Sequence, residues 1–74
     1  MKQIDNISEI EEGILVSIDN GQELFNGYIL EVISSDYGIM TVIISHDGDF
    51  EERVFDISFD EEDESIIDPS IFLL

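Results

Sequence analysis

Val16-Ser17-Ile18-Asp19-Asn20-Gly21-Gln22-Glu23-Leu24-Phe25-Asn26-Gly27-Tyr28-Ile29-Leu30-Glu31-Val32 is the stretch that decides the fold class of this 74-residue chain. A β-branched run, Ile14 to Ile18, meets Asp19-Asn20-Gly21, and Asn-Gly turns a chain back tightly because both residues tolerate positive φ. The spacing predicts a first hairpin. The return run, Leu24 to Ser34, is long and carries Gly27 in its middle, where a glycine marks a bulge or a sharp bend. Such a bend curls a small sheet towards closure.

Further along, Ser35-Asp36-Tyr37-Gly38 is a turn cluster, followed by Ile39 to Ser45, then Asp47-Gly48, then Phe50 to Phe59, which together read as a second hairpin. If Asp47-Gly48 is a two-residue turn, Val42 opposes Arg53 and Met40 opposes Phe55. Met40, Val42, Ile44, Phe55, Ile57 and Phe59 then share one face, and Glu52, Asp56 and Ser58 point the other way. A three-residue loop shifts that register by one. Before the first strand, Ser8 and Glu11 have capping-box spacing and Ile4, Ile7 and Ile10 recur every third residue, which suits a helix of one to two turns or a 3₁₀ turn. Asp68-Pro69 ends regular structure ahead of Ile71-Phe72-Leu73-Leu74, read as a last strand or a dimer contact. The expectation is one mainly β domain over 1–74: a small curled antiparallel sheet or SH3-like barrel of four to five strands, with a short N-terminal helix.

The quoted stretch resembles the first motif of Sm-like and other SH3-like barrels, in which a strand, an Asn/Asp-Gly turn and a glycine-bent second strand follow one another. The gap from Gly21 to Gly27 is one residue longer than the usual Sm pattern, and no Arg-Gly pair of a second Sm motif follows Ile44. The resemblance therefore implies a fold, not RNA binding.

Composition narrows the function. Apolar residues are 43% of the chain, well above an acidic disordered tail, so a core is expected, though a thin one at this size. Nineteen Asp and Glu stand against Lys2 and Arg53, a formal net charge of −17, so most carboxylates must face water or a partner. Direct binding of nucleic acid or of an anionic membrane requires Lys and Arg that the chain lacks, and a cationic partner is expected instead. The absence of cysteine removes disulfides and thiolate metal sites. With no signal-peptide pattern or long apolar run, the chain reads as cytoplasmic.

The acids are densest between 47 and 64, where Asp47, Asp49, Glu51, Glu52, Asp56, Asp60, Glu61, Glu62, Asp63 and Glu64 meet one arginine. Same-face residues on a strand are about 6.6 Å apart and neighbouring strands about 4.8 Å apart, so carboxylates alternating along a hairpin would form a rigid lattice of negative charge. Such a lattice imitates duplex DNA, which carries one charge per about 1.7 Å of axis. In overall character the chain resembles the small acidic DNA-mimic proteins with which bacteriophages disable host factors, including inhibitors of the nucleoid protein HU, of restriction enzymes and of CRISPR nucleases. That resemblance implies an early phage protein in the bacterial cytoplasm, often a dimer, which covers the DNA-contact surface of a basic host protein, with HU favoured and nucleases or transcription factors as other targets. Glu12, Asp19, Glu23 and Glu31 would extend the field.

Other chemistries fit less well. Asp47, Asp49 and Glu51 alternate as hard oxygen ligands around Gly48, and Asp19-Asn20-Gly21 is similar, but neither follows the twelve-residue calcium-loop spacing, so no metal or other cofactor is expected. His46, the lone histidine, sits beside a hairpin turn and reads as a surface or turn residue; with no nucleophile motif or phosphate-cradling loop, catalysis is not expected. Phe55, Phe59 and one face of Leu24 to Val32 are assigned to the core, while Phe25 and Tyr37, next to turns, are candidate exposed anchors. Apolar residues on both faces of Ile29 to Ile33 and Ile39 to Ile44 suggest a homodimer. The alternative function is an SH3-like adaptor or assembly module that recognises partners through aromatics and sheet edges, its acids serving only solubility.

Overall fold

Burial alternates strictly from Leu24 to Leu30, with Phe25, Gly27 and Ile29 inward and Leu24, Asn26, Tyr28 and Leu30 outward, the period of a strand with one wet face. In the computed structural model, which describes residues 1–46 and 51–74, this run belongs to the long third strand of a mainly β fold. The strands are β1 (Lys2–Gln3), β2 (Leu15–Asp19), β3 (Leu24–Asp36), β4 (Ile39–His46), β5 (Glu52–Phe59), β6 (Ile66–Asp68) and β7 (Ser70–Leu73). They form a single antiparallel sheet in the order β1-β7-β2-β3-β4-β5-β6. The described residues thus hold seven strands where four to five were expected. β7 falls on the tail read as a last strand or a dimer contact, and the two unforeseen strands, β1 and β6, are two and three residues long, too short to leave a period in the sequence.

These short strands curl the sheet round until its ends meet. Ile4 N–H donates to the Ile71 carbonyl at 2.8 Å, continuing the β1–β7 pairing, and the chain then crosses to the opposite border. There Ile66 N–H donates to the Asp5 carbonyl at 2.7 Å and Ile7 N–H to the Glu64 carbonyl at 3.0 Å, around a bridge between Asn6 and Ser65. Ile71, Phe72 and Leu73 of the apolar tail belong to β7, which lies between β1 and β2.

The helical expectation reduces to one 3₁₀ turn, Ile7–Glu9. Its cap is Asn6, not Ser8: the Asn6 carboxamide oxygen accepts from Ser8 N–H at 2.9 Å while its amide donates to the Asp63 carbonyl at 2.8 Å. Ile4 in the extended chain after β1, Ile7 in the turn and Ile10 just after it all enter the core. They pack with Val16, Ile18, Ile29, Val42, Ile44, Ile57 and Ile71, several of them fully sequestered. Burying each such side chain favours folding by about 1.5–3 kcal/mol.

The turns show which glycines matter. Tyr37 and Gly38 join β3 to β4 with φ of +51° and +75°, the two-residue hairpin geometry that needs positive φ twice. Gly27 serves a different purpose. A Cβ there would overlap the Ser45 carbonyl oxygen and lie 2.8 Å from Ile44 Cγ2, so the glycine allows β4 to approach the backbone of β3 closely. The register shifts fall later, between Ile29 and Glu31 and between Val32 and Ser34, where β3 leaves β2 and continues with β4 alone.

The second hairpin keeps its predicted faces but not its predicted register. Val42 opposes Phe55, Met40 opposes Ile57 and Ser45 opposes Glu52, a slip of two residues from the pairing of a two-residue turn. An even slip preserves the alternation of faces, so Met40, Val42, Ile44, Phe55, Ile57 and Phe59 are all buried on one side. The Asp47-Gly48 turn itself lies outside the described residues.

Candidate functional site

Strand β5 and the turn that follows it carry the described part of the predicted acidic site. Glu51 precedes β5, Glu52 and Asp56 are on it, and Asp60, Glu61, Glu62, Asp63 and Glu64 form the connection to β6; all eight are exposed. Asp47 and Asp49 lie outside the described residues. The alternating lattice is not what the strands build. Outward positions on β5 read Glu52, Val54, Asp56, Ser58, and the facing positions of β4 read Ser45, Ile43, Thr41, Ile39, so the neighbouring strand contributes no carboxylate. At about 3.3 Å per residue, Glu52 and Asp60 stand roughly 26 Å apart along the strand, with Asp56 midway. Of the described acids of this run, Glu51 and Glu52 thus stand at one end of β5 and Asp60 to Glu64 at the other, with Asp56 between them.

At one end the acidic run shapes itself. Asp60 Oδ1 accepts from Glu62 N–H at 2.8 Å and reaches Asp63 N–H at 3.4 Å, Asp63 Oδ1 accepts from Ser65 N–H at 2.9 Å, and Glu64 N–H donates to the Asp60 carbonyl. The Ser65 hydroxyl and N–H hold the Asp63 carboxyl below the usual carboxylate range. Glu64 takes a positive φ of 63° as the turn closes. The Tyr37-Gly38 turn abuts this end, since Phe59 N–H donates to the Gly38 carbonyl, and the Asn6 amide ties on the N-terminal turn. Asp36 at the end of β3 and Asp5 beside β6 add to the same pole.

At the other end one cation organises the surface. Arg53 pairs with Glu23 of the β2–β3 turn, and its guanidinium lies 4.9 Å from the Phe25 ring centre and 5.1 Å from that of Phe55. The hydrogen bond with Glu23 raises the Arg53 pKa, and the same bond holds the Glu23 carboxyl below its usual range. Phe25 is accordingly only 6% exposed beneath Arg53, which corrects its reading as an exposed anchor. Tyr37, at 87%, stands in water as expected of one. His46 is half-buried, edge-on to Phe25 at 5.2 Å, and its Nδ1 has no hydrogen-bond partner among the described residues. The Phe25–His46–Arg53–Phe55 cluster was not expected from the sequence; the one signal for it is that Phe25, His46 and Arg53 sit near strand ends, with Phe55 two residues beyond the sole arginine.

Lys2, the second cation, pairs with Glu9 at 3.1 Å and holds that carboxyl low. Both cations are thus engaged within the molecule, leaving the outer field to the acids. At the β2–β3 turn, Asp19 Oδ1 accepts from Gly21 N–H and Asn20 Oδ1 from Gln22 and Glu23 N–H, so these side chains serve the turn rather than a ligand. Among the described residues no cluster of three or more Asp, Glu, His or Cys is placed to hold a metal, no cavity opens, and no helix is long and apolar enough to cross a membrane. No family model, curated protein or solved structure matches this chain.

Proposed function

We propose that this protein is a DNA-mimicking inhibitor that covers the basic DNA-binding surface of a host protein, whether a nucleoid protein such as HU, a restriction or CRISPR nuclease, or a transcription factor. The observation that carries the reading is charge per length. A net −17 spread over a longest dimension of 36 Å is about one net charge per 2 Å, close to the one per 1.7 Å of duplex DNA, and both cations are already paired. Mounting the acids on strands and hydrogen-bonded turns means little ordering entropy is lost on binding. A target that docks here gains the contacts its Lys and Arg make with phosphate, together with the associated counterion release. The action belongs in the compartment where the target meets DNA, the bacterial cytoplasm if the gene is a phage's.

Pull-down from bacterial lysate at about 0.1 M and then about 0.5 M salt, followed by competition with duplex, tests the proposal. Capture of a DNA-binding protein that is lost at high salt and displaced by duplex supports mimicry. Capture of a protein indifferent to both rejects it.

The exposed Tyr37 at the β3–β4 tip favours a second reading, an SH3-like adaptor whose acids only keep it in solution. Replacing Glu51, Glu52, Glu61, Glu62 and Glu64 by Gln, and Asp60 and Asp63 by Asn, separates the two. The amides keep the oxygen acceptors that shape the turn while removing seven charges. A mimic loses its target, whereas an adaptor keeps its partner and loses it instead on Tyr37→Ser.

A further inference from the structure

The sheet closes at one end of β5 and not along its whole length. β6 pairs with β5 only at Ser58 and Phe59, so among the described residues the edge from Glu52 to Ile57 has no neighbour on the side away from β4. The direction of its backbone groups follows from two bonds. His46 N–H donates to the Glu51 carbonyl and Phe59 N–H to the Gly38 carbonyl, so the pairs 38/59, 40/57, 42/55, 44/53 and 46/51 exchange hydrogen bonds across β4 and β5. In an antiparallel ladder the intervening residues point their N–H and C=O the other way. Glu52, Val54 and Asp56 thus present unpaired backbone donors and acceptors at the free edge.

The same three residues also share the outward face, in the order acid, apolar, acid. Val54 is 63% exposed, and Thr41 steadies Asp56 through an Oγ1–Oδ1 hydrogen bond of 2.9 Å. Glu52 and Asp56 lie about 13 Å apart, the span of two same-face steps. A strand added here would set its own same-face residues opposite them, and cations two positions either side of an apolar residue would meet Glu52 and Asp56 while the apolar one covers Val54. A second copy of this chain is disfavoured in the register centred on Val54. Two-fold antiparallel pairing centred on Val54 puts Glu52 opposite the partner's Asp56 twice, and like charges directly opposite destabilise a pair.

We infer that the β5 edge is a docking site for an extended basic segment of the partner protein, which joins the sheet as an additional antiparallel strand with Lys or Arg over Glu52 and Asp56. This inference rests on the reading above that the partner is basic. It adds that recognition runs through backbone hydrogen bonds as well as charge, so the captured surface includes a strand or an arm that can become one.

The test uses the full chain and a short capped peptide built on Lys-Thr-Val-Thr-Lys, beside the same peptide N-methylated at the amides that would face β5. At about 0.1 M salt the unmodified peptide should slow amide exchange at Glu52, Val54 and Asp56 and leave Arg53, Phe55 and Ile57 unchanged, since those already bond to β4. The methylated peptide, with identical charge, should bind about tenfold more weakly for two lost backbone bonds. Val54→Pro removes an N–H that no described strand uses, so the protein should fold and lose the distinction between the peptides. Equal binding of both peptides to the unmutated chain would overturn the edge proposal and leave the acidic-surface reading standing. If neither peptide binds while lysate still yields a duplex-displaced protein, the edge proposal alone falls; if neither happens, both fall. A neutral-pH dimer that Val54→Pro dissolves would overturn it in favour of a second copy.

Discussion

The two acidic ends of the barrel are ordered by opposite means. Around 60–64 the chain has no cation to spend on its carboxylates, and Asp60 and Asp63 are held instead by backbone N–H groups of their own turn. Around Arg53 a single guanidinium gathers Glu23, Phe25 and Phe55. A chain with few cations can therefore still place its acids rigidly, because a carboxylate accepts from the main chain as readily as from a side chain. The first arrangement leaves the whole charge of the end facing outward; the second neutralises part of it.

The largest effect should come from the Arg53 end. Gly27→Ala forces a Cβ into the Ser45 carbonyl, with β4 backbone that cannot move aside, and should cost about 3 kcal/mol or more, read by urea denaturation. Domains of this size hold only about 5–15 kcal/mol in total. Ile44→Ala, in the fully buried layer beside it, should cost about 2–4 kcal/mol in the same assay. At the opposite end, Asn6→Ala removes a cap and the tie to Asp63 together and should cost about 1 kcal/mol, whereas Asp60→Asn, which keeps the acceptor and sheds a charge, should leave stability unchanged or raise it. A loss in Asp60→Asn as large as that in Asp60→Ala would break the claim that the acceptor oxygen orders this end.

Protonation sharpens the comparison with smaller shifts. Glu23 is held down by Arg53 and Asp63 by Ser65. A carboxyl whose folded pKa is depressed adds stability that is present above its unfolded value, near 4, and lost as pH falls through the lower folded value. Arg53→Met should return the Glu23 midpoint to the ordinary carboxylate range and leave that of Asp63 unmoved, as followed by side-chain carbonyl NMR. A common shift of both would mean that the ends are coupled through the overall field rather than ordered locally. Raising salt from about 0.05 M to about 0.5 M should increase thermal stability modestly, because screening relieves repulsion among unpaired acids more than it weakens two exposed ion pairs.

Legibility tracked the range of the interactions involved. The first hairpin, the Tyr37-Gly38 turn and the alternation along 24–29 and 54–59 could be read because each depends on residues within a few positions of one another, but the first turn runs from Asn20 to Glu23 with Gly21 alone at positive φ rather than closing on Asn-Gly. The even slip of the second hairpin could not, since faces repeat every two residues and periodicity cannot distinguish registers that differ by two. Arg53 was visible as the one cation among ten acids, but its seat over Phe25 depends on a strand nearly thirty residues earlier in the chain.

By composition and period alone, the sequence determined that this is a mainly β, strongly acidic domain with its apolar face on Met40, Val42, Ile44, Phe55 and Ile57, because burial and alternation are local and additive. Only the tertiary structure decided that the sheet closes through Asn6 and Ser65 and, among the described residues, that the acids of the 51–64 run stand mainly at the two ends of β5 and that β5 keeps an open edge. Those outcomes depend on which distant backbone groups find each other, and no residue's neighbours in sequence encode that choice.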